Sequence, residues 1–530
     1  MTRRCGRLAA IALIAATPSA AQEFAPTPPY LDQVSRRGPV IAMSIDDVVQ
    51  RAVRNNLDVL IERFNLDLAR EKLVGARGGY DPTFSLTSTV AATTNPLSAA
   101  SGSATIPNEL VESIAGLSSV RQTFPGGTSA ALSVNGQRTA TTNTSSLLTP
   151  SFGSVLTASI TQPLLRGFLR TATGRQVDLA DADTAVARAQ YRLRLTAVMQ
   201  QVLNQYWELV FAIDSYEARR QSKAVALLQL ESTSLRVQNG LLTPVALTAA
   251  RAEIASRERD LLQGEVSIIN AENGLKQLLA EDAASPVWVS ALIPADKPSI
   301  DSGVLPLADV QALARSRRPE IEQLRLQVSQ NRIDRTFFAS EARPSVNLVG
   351  TFTAVGRAGT VLQRTADGRV ADPANPAFGE FNAAWRQMWQ RQFPAWNVGV
   401  NVQVPLRNRT ADAALAQVRL VGERLGTQLA KVQQSVSTDA QNAWQVIAVQ
   451  RKSLEAARLT TQLFEQQLEG QQARYDSGFS SDFELLRYQR DLVDARVREL
   501  RALIDLQQGI ISLQRATDTL LDNLQLKLPF

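Results

Sequence analysis

Apolar positions recur at helical spacing in six segments, two of which are unusually long. The long segments run from about Arg175 to Val237 and from about Ala411 to Tyr475. In the second, apolar or small residues follow one another mostly in steps of three and four, the spacing of a coiled-coil seam. At about 1.5 Å per residue, each helix would span on the order of 90 Å, more than one globular core requires. The pattern predicts either an extended coiled coil or a tube of helices.

The other four helical segments are shorter. They run from about Ser44 to Gly75, Val245 to Leu279, Leu307 to Ala342 and Asp482 to Leu521. Stacked end to end in pairs, they would complete two more full-length rods. The first of them has an apolar stripe on one face: Val48, Ala52, Leu57, Leu60, Ile61, Phe64 and Leu68.

Both long helices are predicted to end in a tight reversal. Asn239-Gly240 supplies a left-handed stop, after which Thr243 and Pro244 suit the start of the next helix. Gly478 supplies the second stop, and Ser480 or Ser481 the following cap.

Polarity switches to a period of two where Pro82 and Pro344 break the helical pattern. Apolar residues then alternate with small polar ones in two outgoing strands and two returning strands. Their apolar positions are Phe84, Leu86 and Val90; Leu156, Ala158 and Ile160; Val346 and Leu348; and Val398, Val400, Val402 and Val404. This alternation is typical of a barrel wall between lipid and water, although a half-buried strand of a soluble protein has it too.

Two connecting regions are less clear. Between about Ala92 and Arg138 a second alternating run follows a Pro-Gly-Gly turn, and this material either adds strands or decorates a loop. The segment from Gly356 to Ala395 is interpreted as a loop, and its Trp385 and Trp389 suit a lipid–water boundary or loop packing equally well.

The two halves of the chain repeat the same order of elements. A shift of 262 residues superimposes Asp47-Val48 on Asp309-Val310 and Tyr80-Asp81-Pro82 on Ala342-Arg343-Pro344. Further along, Gln162-Pro163-Leu164 matches Val404-Pro405-Leu406, and Gln238-Asn239-Gly240 matches Asp476-Ser477-Gly478. An internal tandem duplication is therefore expected. The predicted divisions are a signal peptide over 1–21, an extended segment over 22–43, repeats over 44–290 and 306–522, and a tail over 523–530.

The chain begins like a secreted precursor. Basic Arg3, Arg4 and Arg7 precede a short apolar run, and small residues at 19–21 suit cleavage. The only cysteine, Cys5, lies in this segment, so the mature chain is expected to lack disulfides. Removing the three arginines reduces the net charge from +6 to +3, and no basic cluster with interleaved aromatics predicts nucleic-acid binding.

Composition excludes most site chemistry. The chain contains no histidine, so zinc sites built from His and Cys, Ser-His-Asp triads and Cys-His dyads are impossible. No Gly-rich phosphate loop is present. We therefore expect no catalytic residues, no cofactor and no metal site.

Several short motifs resemble the TolC-like outer membrane efflux proteins, and the resemblance covers nearly the whole mature chain. They are Tyr80-Asp81-Pro82, Thr161-Gln162-Pro163-Leu164-Leu165-Arg166-Gly167, Arg343-Pro344-Ser345, Val404-Pro405-Leu406 and Arg474-Tyr475-x-x-Gly478.

The resemblance implies a mainly α fold with β, in which long antiparallel helices form a periplasmic α-barrel. The strands would enter a shared transmembrane β-barrel of a homotrimer, with four strands per chain and twelve in all. A periplasmic adaptor (membrane fusion) protein and an inner-membrane pump would be the partners, with outer-membrane lipid around the barrel. The chain would be a passive exit duct for small molecules or proteins in efflux or type I secretion.

The tips of the helical hairpins resemble the family's docking and gating region. The tip turns Asn239, Gly240, Leu241, Ser477, Gly478 and Phe479 would dock the adaptor, and Tyr475, Glu484 and Arg487 are candidates for the tunnel mouth and gate. Ser480 and Ala246 stand where a basic latch residue and its acidic partner can occur, which argues against that latch here. Glu484 and Arg487 would equally suit a simple surface pair.

Two other functions remain open from the sequence. A periplasmic coiled-coil adaptor or scaffold that does not cross the membrane would explain the helices and the signal, but not the strand pairs. A secreted hydrolase using carboxylates would need clustered acids, whereas these are scattered. The sequence does not identify the cargo or the specific partners.

Overall fold

Long helices dominate the architecture. The computed structural model describes residues 39–96, 108–143, 146, 148–298, 303, 305–365, 368–371, 379–477 and 479–526. The predicted signal peptide and Cys5 lie outside the described residues. The helices are α1 Ile45–Asn55, α2 Leu57–Arg77, α3 Ala172–Gln238, α4 Pro244–Leu279, α5 Leu307–Arg317, α6 Pro319–Glu341, α7 Phe381–Trp389, α8 Arg409–Asp476, α9 Asp482–Ala516 and α10 Leu520–Asn523.

The predicted stacking of short helices along long ones is present. Helix α3 packs first against α2 and then against α4, and α8 packs first against α6 and then against α9. The Asn56 side-chain amide donates to the Leu278 carbonyl at 3.1 Å, so α2 begins where α4 ends. With 67 and 68 residues, α3 and α8 would each extend about 100 Å at the usual helical rise. Helices α3 and α4 form the first hairpin; α8 and α9 form the second.

The two helices predicted from Ser44 and Leu307 are each divided in two. Asn56 ends α1 in an extended conformation and its side chain accepts from the Asp58 and Val59 amides, so it caps α2. In the second repeat Arg318 has the same place, and Pro319 opens α6 at a position that needs no amide donor.

Most of the strands belong to one antiparallel sheet in the order β2-β3-β4-β5-β7-β9, while β8 pairs with the far end of β7. The remaining two, β1 and β6, pair in parallel and join the chain before α1 to the chain after α4. The strands are β1 Val40–Met43, β2 Thr83–Pro96, β3 Asn108–Thr123, β4 Ser129–Thr141, β5 Leu148–Pro163, β6 Ala291–Pro294, β7 Ser345–Thr365, β8 Gly368–Ala371 and β9 Phe393–Gln403.

The expectation of four strands per chain is wrong, because six long strands form the sheet. The open question over residues 92–138 is answered by β3 and β4, which lie between β2 and β5. The alternation in β3 is hidden in the sequence because Gly116 and Ser118 stand at positions on its apolar face. The described part of the predicted loop from Gly356 to Ala395 is also largely strand and helix.

Helix α7 lies on the apolar face of the sheet, over a row of small residues. Gly136, Ser154 and Gly356 stand side by side on three neighbouring strands beneath it, and Gly116 continues the row on β3 without contacting the helix. The Ser154 hydroxyl donates to the Ala384 carbonyl of α7 at 2.8 Å. A Cβ on Gly136 would come within 2.9 Å of the Trp385 ring, and one on Gly356 would collide with the Ala384 carbonyl oxygen. The small residues are what allow the helix to approach.

Gly356→Val is therefore expected to displace α7, since the new side chain would occupy the space of the helix backbone. Limited digestion of the folded protein with trypsin would then cleave at Arg386 or Arg391. Gly116→Val is the matched control, because a Cβ at Gly116 meets nothing within 4 Å. Equal resistance of both variants to trypsin would contradict the packing of α7.

The main core lies where α1, α3 and α4 meet, around fully buried Val48, Met199 and Leu279. The predicted stripe of the first helical segment divides at this point. Val48 and Ala52 are buried, whereas Leu57, Ile61, Phe64 and Leu68 on α2 are each more than half exposed. Among the described residues of one chain, α2 therefore presents an apolar face that no other element covers.

Candidate functional site

The tip of the first hairpin has the predicted glycine stop. Asn239 ends α3, and Gly240 adopts a φ of +70°, a left-handed conformation that favours glycine. The Leu241 amide donates to the Arg236 carbonyl at 2.8 Å, closing the turn, and Pro244 opens α4.

The tip of the second hairpin follows a similar course. Ser477 ends α8, the Phe479 amide donates to the Arg474 carbonyl at 2.8 Å, and Ser481 caps α9 by accepting from the Glu484 amide. Gly478 lies outside the described residues, so its predicted role as the stop remains a prediction.

Large apolar side chains project at both tips. Each is at least 70% exposed, which is unusual for four such residues at the ends of two neighbouring hairpins: Leu241, Val245, Phe479 and Phe483.

Asp482 connects the two hairpins beside these tips. Its carboxylate accepts from the Gln229 amide at 2.9 Å and from the Thr233 hydroxyl at 3.2 Å, both on α3. It also accepts from the Tyr475 hydroxyl, which in turn accepts from Gln229 at 2.9 Å. The Arg236 guanidinium lies 4.7 Å from the centre of the Tyr475 ring, a cation–π distance.

Tyr475 is held in its protonated form. Burial first, and then the hydrogen bond to Asp482 and the charge of that group, raise the pKa of Tyr475 above its ordinary value. The hydroxyl therefore remains a donor to Asp482 throughout the neutral range.

A second connection lies further along the hairpins, between α4 and α9. Glu253 forms ion pairs with Arg490 of α9 and, at 3.1 Å, with Arg257 of its own helix. Arg257 is buried and also donates to the Ser222 carbonyl at 3.0 Å and to the Leu486 carbonyl at 3.4 Å. One buried guanidinium thus contacts α3, α4 and α9.

The predicted mouth residues Glu484 and Arg487 have different neighbours. Glu484 accepts from the Gln471 amide at 3.2 Å and from the Ser480 hydroxyl at 3.0 Å. Arg487 is 72% exposed and lies 3.9 Å from Asp491 on the same helix. Among the described residues, Glu484 and Arg487 do not pair with each other.

A cavity of about 710 Å³ separates the hairpins near their tips. Ser480 and Ala246, which stand at the two latch positions, both line it, together with Ala250, Phe483 and Leu486. Small residues at 246 and 250 leave room that longer side chains would fill.

Sequence analysis missed the residues that join the hairpins: Gln229, Thr233, Arg236, Glu253, Arg257, Asp482 and Arg490. One signal was available. Gln229, Thr233 and Arg236 recur at helical spacing where a seam would be apolar, and Thr233 is fully buried. Their partners lie about 250 positions away in the sequence, so no local pattern links them.

Near the helical ends of its strands, the sheet has one mainly apolar and one mainly polar face. One cross-strand row consists of Phe84, Val120, Leu132, Ala158, Phe352 and Trp396. The next row, on the opposite face, consists of Ser85, Ser119, Ser133, Thr157, Thr353 and Ala395. Every residue of the two edge strands β2 and β9 is exposed.

None of the described helices is long and apolar enough to cross a membrane. Within the described residues, no three His, Cys, Asp or Glu side chains are grouped as a metal site would require.

Residues 129–281 match the family model for the outer membrane efflux protein. No curated protein is similar enough in sequence to be detected. Among solved structures, the CmeC outer membrane channel of Campylobacter jejuni is similar at 15% identity and a TM-score of 0.61, over 90% of this chain and 86% of CmeC.

Two further solved structures agree. The outer membrane protein VceC of Vibrio cholerae has 16% identity and a TM-score of 0.58, over 91% of this chain and 95% of VceC. The MtrE outer membrane channel of Neisseria gonorrhoeae, in its open state, has 15% identity and a TM-score of 0.58, over 90% of this chain and 89% of MtrE. These likenesses establish a common fold over most of both chains. The outer membrane efflux protein model, which matches residues 129–281, points to the same group of proteins.

Proposed function

We propose that the chain is one subunit of a homotrimeric exit duct, with its sheet in the outer membrane and its helices in the periplasm. The duct would be the outer component of an efflux or type I secretion system. It would conduct passively, with energy supplied by an inner-membrane pump.

The two-faced open sheet carries this proposal. An exposed sheet edge readily pairs with another strand, and a sheet with one apolar and one polar face suits a wall between lipid and water. Six strands are too few to close alone, since membrane barrels begin at about eight. Pairing of β9 in one copy with β2 in the next would satisfy both edges.

The helices support the same assembly. The exposed stripe of α2, from Leu57 to Leu68, is continuous enough to bury against a second copy of the chain. A ring of copies would cover this face and close the long rods into a tube.

The tips would act as a gate and a docking surface. Contacts of Asp482 with α3 and of Arg490 with α4 hold the second hairpin against the first, and we assign them to the closed state. Glu484 and Arg487 would lie at the mouth, and Tyr475 would orient Asp482. The projecting Leu241 and Phe479, with their tip turns, would bind the periplasmic adaptor.

The predicted divisions are retained in this proposal. Residues 1–21 would direct export and be removed, and 44–290 and 306–522 would be the two repeats of the mature subunit. A non-spanning adaptor or scaffold is less well supported, because it gives no role to a six-stranded sheet with exposed edges.

Reconstitution into a planar bilayer tests the proposal. Purified protein is expected to give discrete ion-conducting steps, because the polar row that includes Ser85 and Thr157 would line a water-filled passage. Denatured protein at the same concentration is the control. Protein that folds and binds lipid but gives no steps would favour the scaffold function.

A further inference from the structure

Each chain has six strands in its sheet, two more than the four that a twelve-stranded homotrimer would need. We infer that the assembled duct has an eighteen-stranded barrel, in which the β3–β4 hairpin of each subunit is an integral part of the wall. The inference rests on the proposed homotrimer for the number of copies. The number of strands per copy rests on the sheet itself.

The hairpin is paired along its whole length on both sides. Strand β3 pairs with β2 from Asn108 opposite Pro96 to Arg121 opposite Thr83. Strand β4 pairs with β5 from Ser129 opposite Thr161 to Thr139 opposite Ser151. A hairpin folded over an outer surface would leave β2 and β5 to pair with each other, which these ladders exclude.

The hairpin also has the two-faced pattern of the other strands, apart from Glu112 and Arg138 on the apolar face and Val111 and Leu117 on the polar face. Leu110, Ile114 and Val120 of β3 lie on the apolar face and are substantially exposed, as is Leu132 of β4. On the opposite face stand Ser113, Ser119, Ser133, Asn135 and Gln137. A decorating loop has no need of this alternation, whereas a wall strand does.

The turn of the hairpin lies level with the ends of the other strands. The Phe124 amide donates to the Thr128 carbonyl at 2.8 Å, closing the turn. Gly127 has a φ of +89°, and a Cβ there would come within 2.6 Å of the Gly167 carbonyl oxygen. Since Gly167 lies in the connection from β5 to α3, the turn is packed at the helical end of the sheet.

An even number of strands allows the copies to close. Strand β2 leads away from the helices and β9 returns to them, so β9 of one copy meets β2 of the next in antiparallel orientation. Three copies of six strands give eighteen. Because barrel diameter grows roughly linearly with strand number, this barrel would be about 1.5 times as wide as one of twelve. Cargo size would then be limited at the hairpin tips, not in the membrane.

Engineered disulfides distinguish the two barrels, and with Cys5→Ser the background contains no other thiol. The Ser85 and Ser119 hydroxyl oxygens are 2.7 Å apart, so the double variant Ser85→Cys/Ser119→Cys should cross-link. Ser133→Cys/Thr157→Cys tests the β4–β5 pair in the same way. In Ser85→Cys/Thr157→Cys the strands are three spacings apart, about 14 Å. That exceeds the roughly 7 Å Cα separation that a disulfide tolerates.

The readout is mass spectrometry of linked peptides after cleavage between the two positions, at Glu112 for the first pair and Arg138 for the others. Oxidised membranes should give the first two cross-links and not the third. The third cross-link without the first two would overturn the inference, while a particle of three chains in the same sample would leave the proposed homotrimer intact. If the first two cross-links form but the particle does not contain three chains, both the eighteen-stranded barrel and the proposed homotrimer are wrong.

Discussion

Val398→Arg is expected to abolish assembly of the protein in the outer membrane, whereas Asn397→Arg is expected to preserve it. The two residues are neighbours on β9 and lie on opposite faces of the sheet. Val398 stands opposite Gly350 on the apolar face and is 65% exposed, and Asn397 stands opposite Thr351 on the polar face.

The difference follows from where each arginine would lie. At mid-strand on the lipid face, an arginine costs about 2–4 kcal/mol, and a trimer would incur this cost three times. On the polar face the same arginine would project into water. The measurement is the amount of heat-modifiable oligomer in outer-membrane fractions. If Asn397→Arg is lost and Val398→Arg accumulates normally, the assignment of the two faces is reversed.

Asp482→Ala is expected to open the tip and raise the single-channel conductance severalfold. The substitution removes the acceptor of both hydrogen bonds that reach α3, from Gln229 and Thr233. Hydrogen bonds to a charged group contribute about 1.5–3 kcal/mol each, so their loss from each chain amounts to about 3–6 kcal/mol. Moving a two-state equilibrium from 1:99 to 99:1 requires about 5.5 kcal/mol, so this loss is large enough to change the dominant state.

Asp491→Ala is the matched control for the gate. Asp491 is on the same helix, and its ion pair with Arg487 does not leave that helix. Its conductance should equal that of the unchanged protein. Arg490→Ala should have a smaller effect than Asp482→Ala, because Arg490 is 55% exposed and such pairs contribute at most about 1 kcal/mol. Equal conductance for Asp482→Ala and Asp491→Ala would show that Asp482 does not hold the tip closed.

Long-range periodicity made the rods predictable. Helix α3 was expected from about 175 to 237 and runs from Ala172 to Gln238, and α8 was expected from about 411 to 475 and runs from Arg409 to Asp476. Many turns contribute to each pattern, and Gly240 marks one end through its left-handed conformation. The break between α1 and α2 at Asn56 was missed because the apolar spacing continues past it. The capping of α2 by the Asn56 side chain is apparent only from the structure.

The sheet and the contacts between the hairpin tips were less predictable, for different reasons. Strand β3 carries small residues on its apolar face at Gly116 and Ser118, so its alternation was too weak to count as a strand. The need for glycine at position 136 could not be predicted, because it arises from the packing of α7 against the sheet. Tip contacts such as that between Gln229 and Asp482 join positions 253 residues apart, and only the packing of the two hairpins brings them together.

The central claim is that copies of this chain share one cylinder, and the mass of the native particle tests it most directly. Protein extracted from outer membranes in mild detergent should elute as a particle whose protein mass, measured by light scattering, equals three chains. A stable monomer recovered from the soluble fraction without detergent would contradict the account.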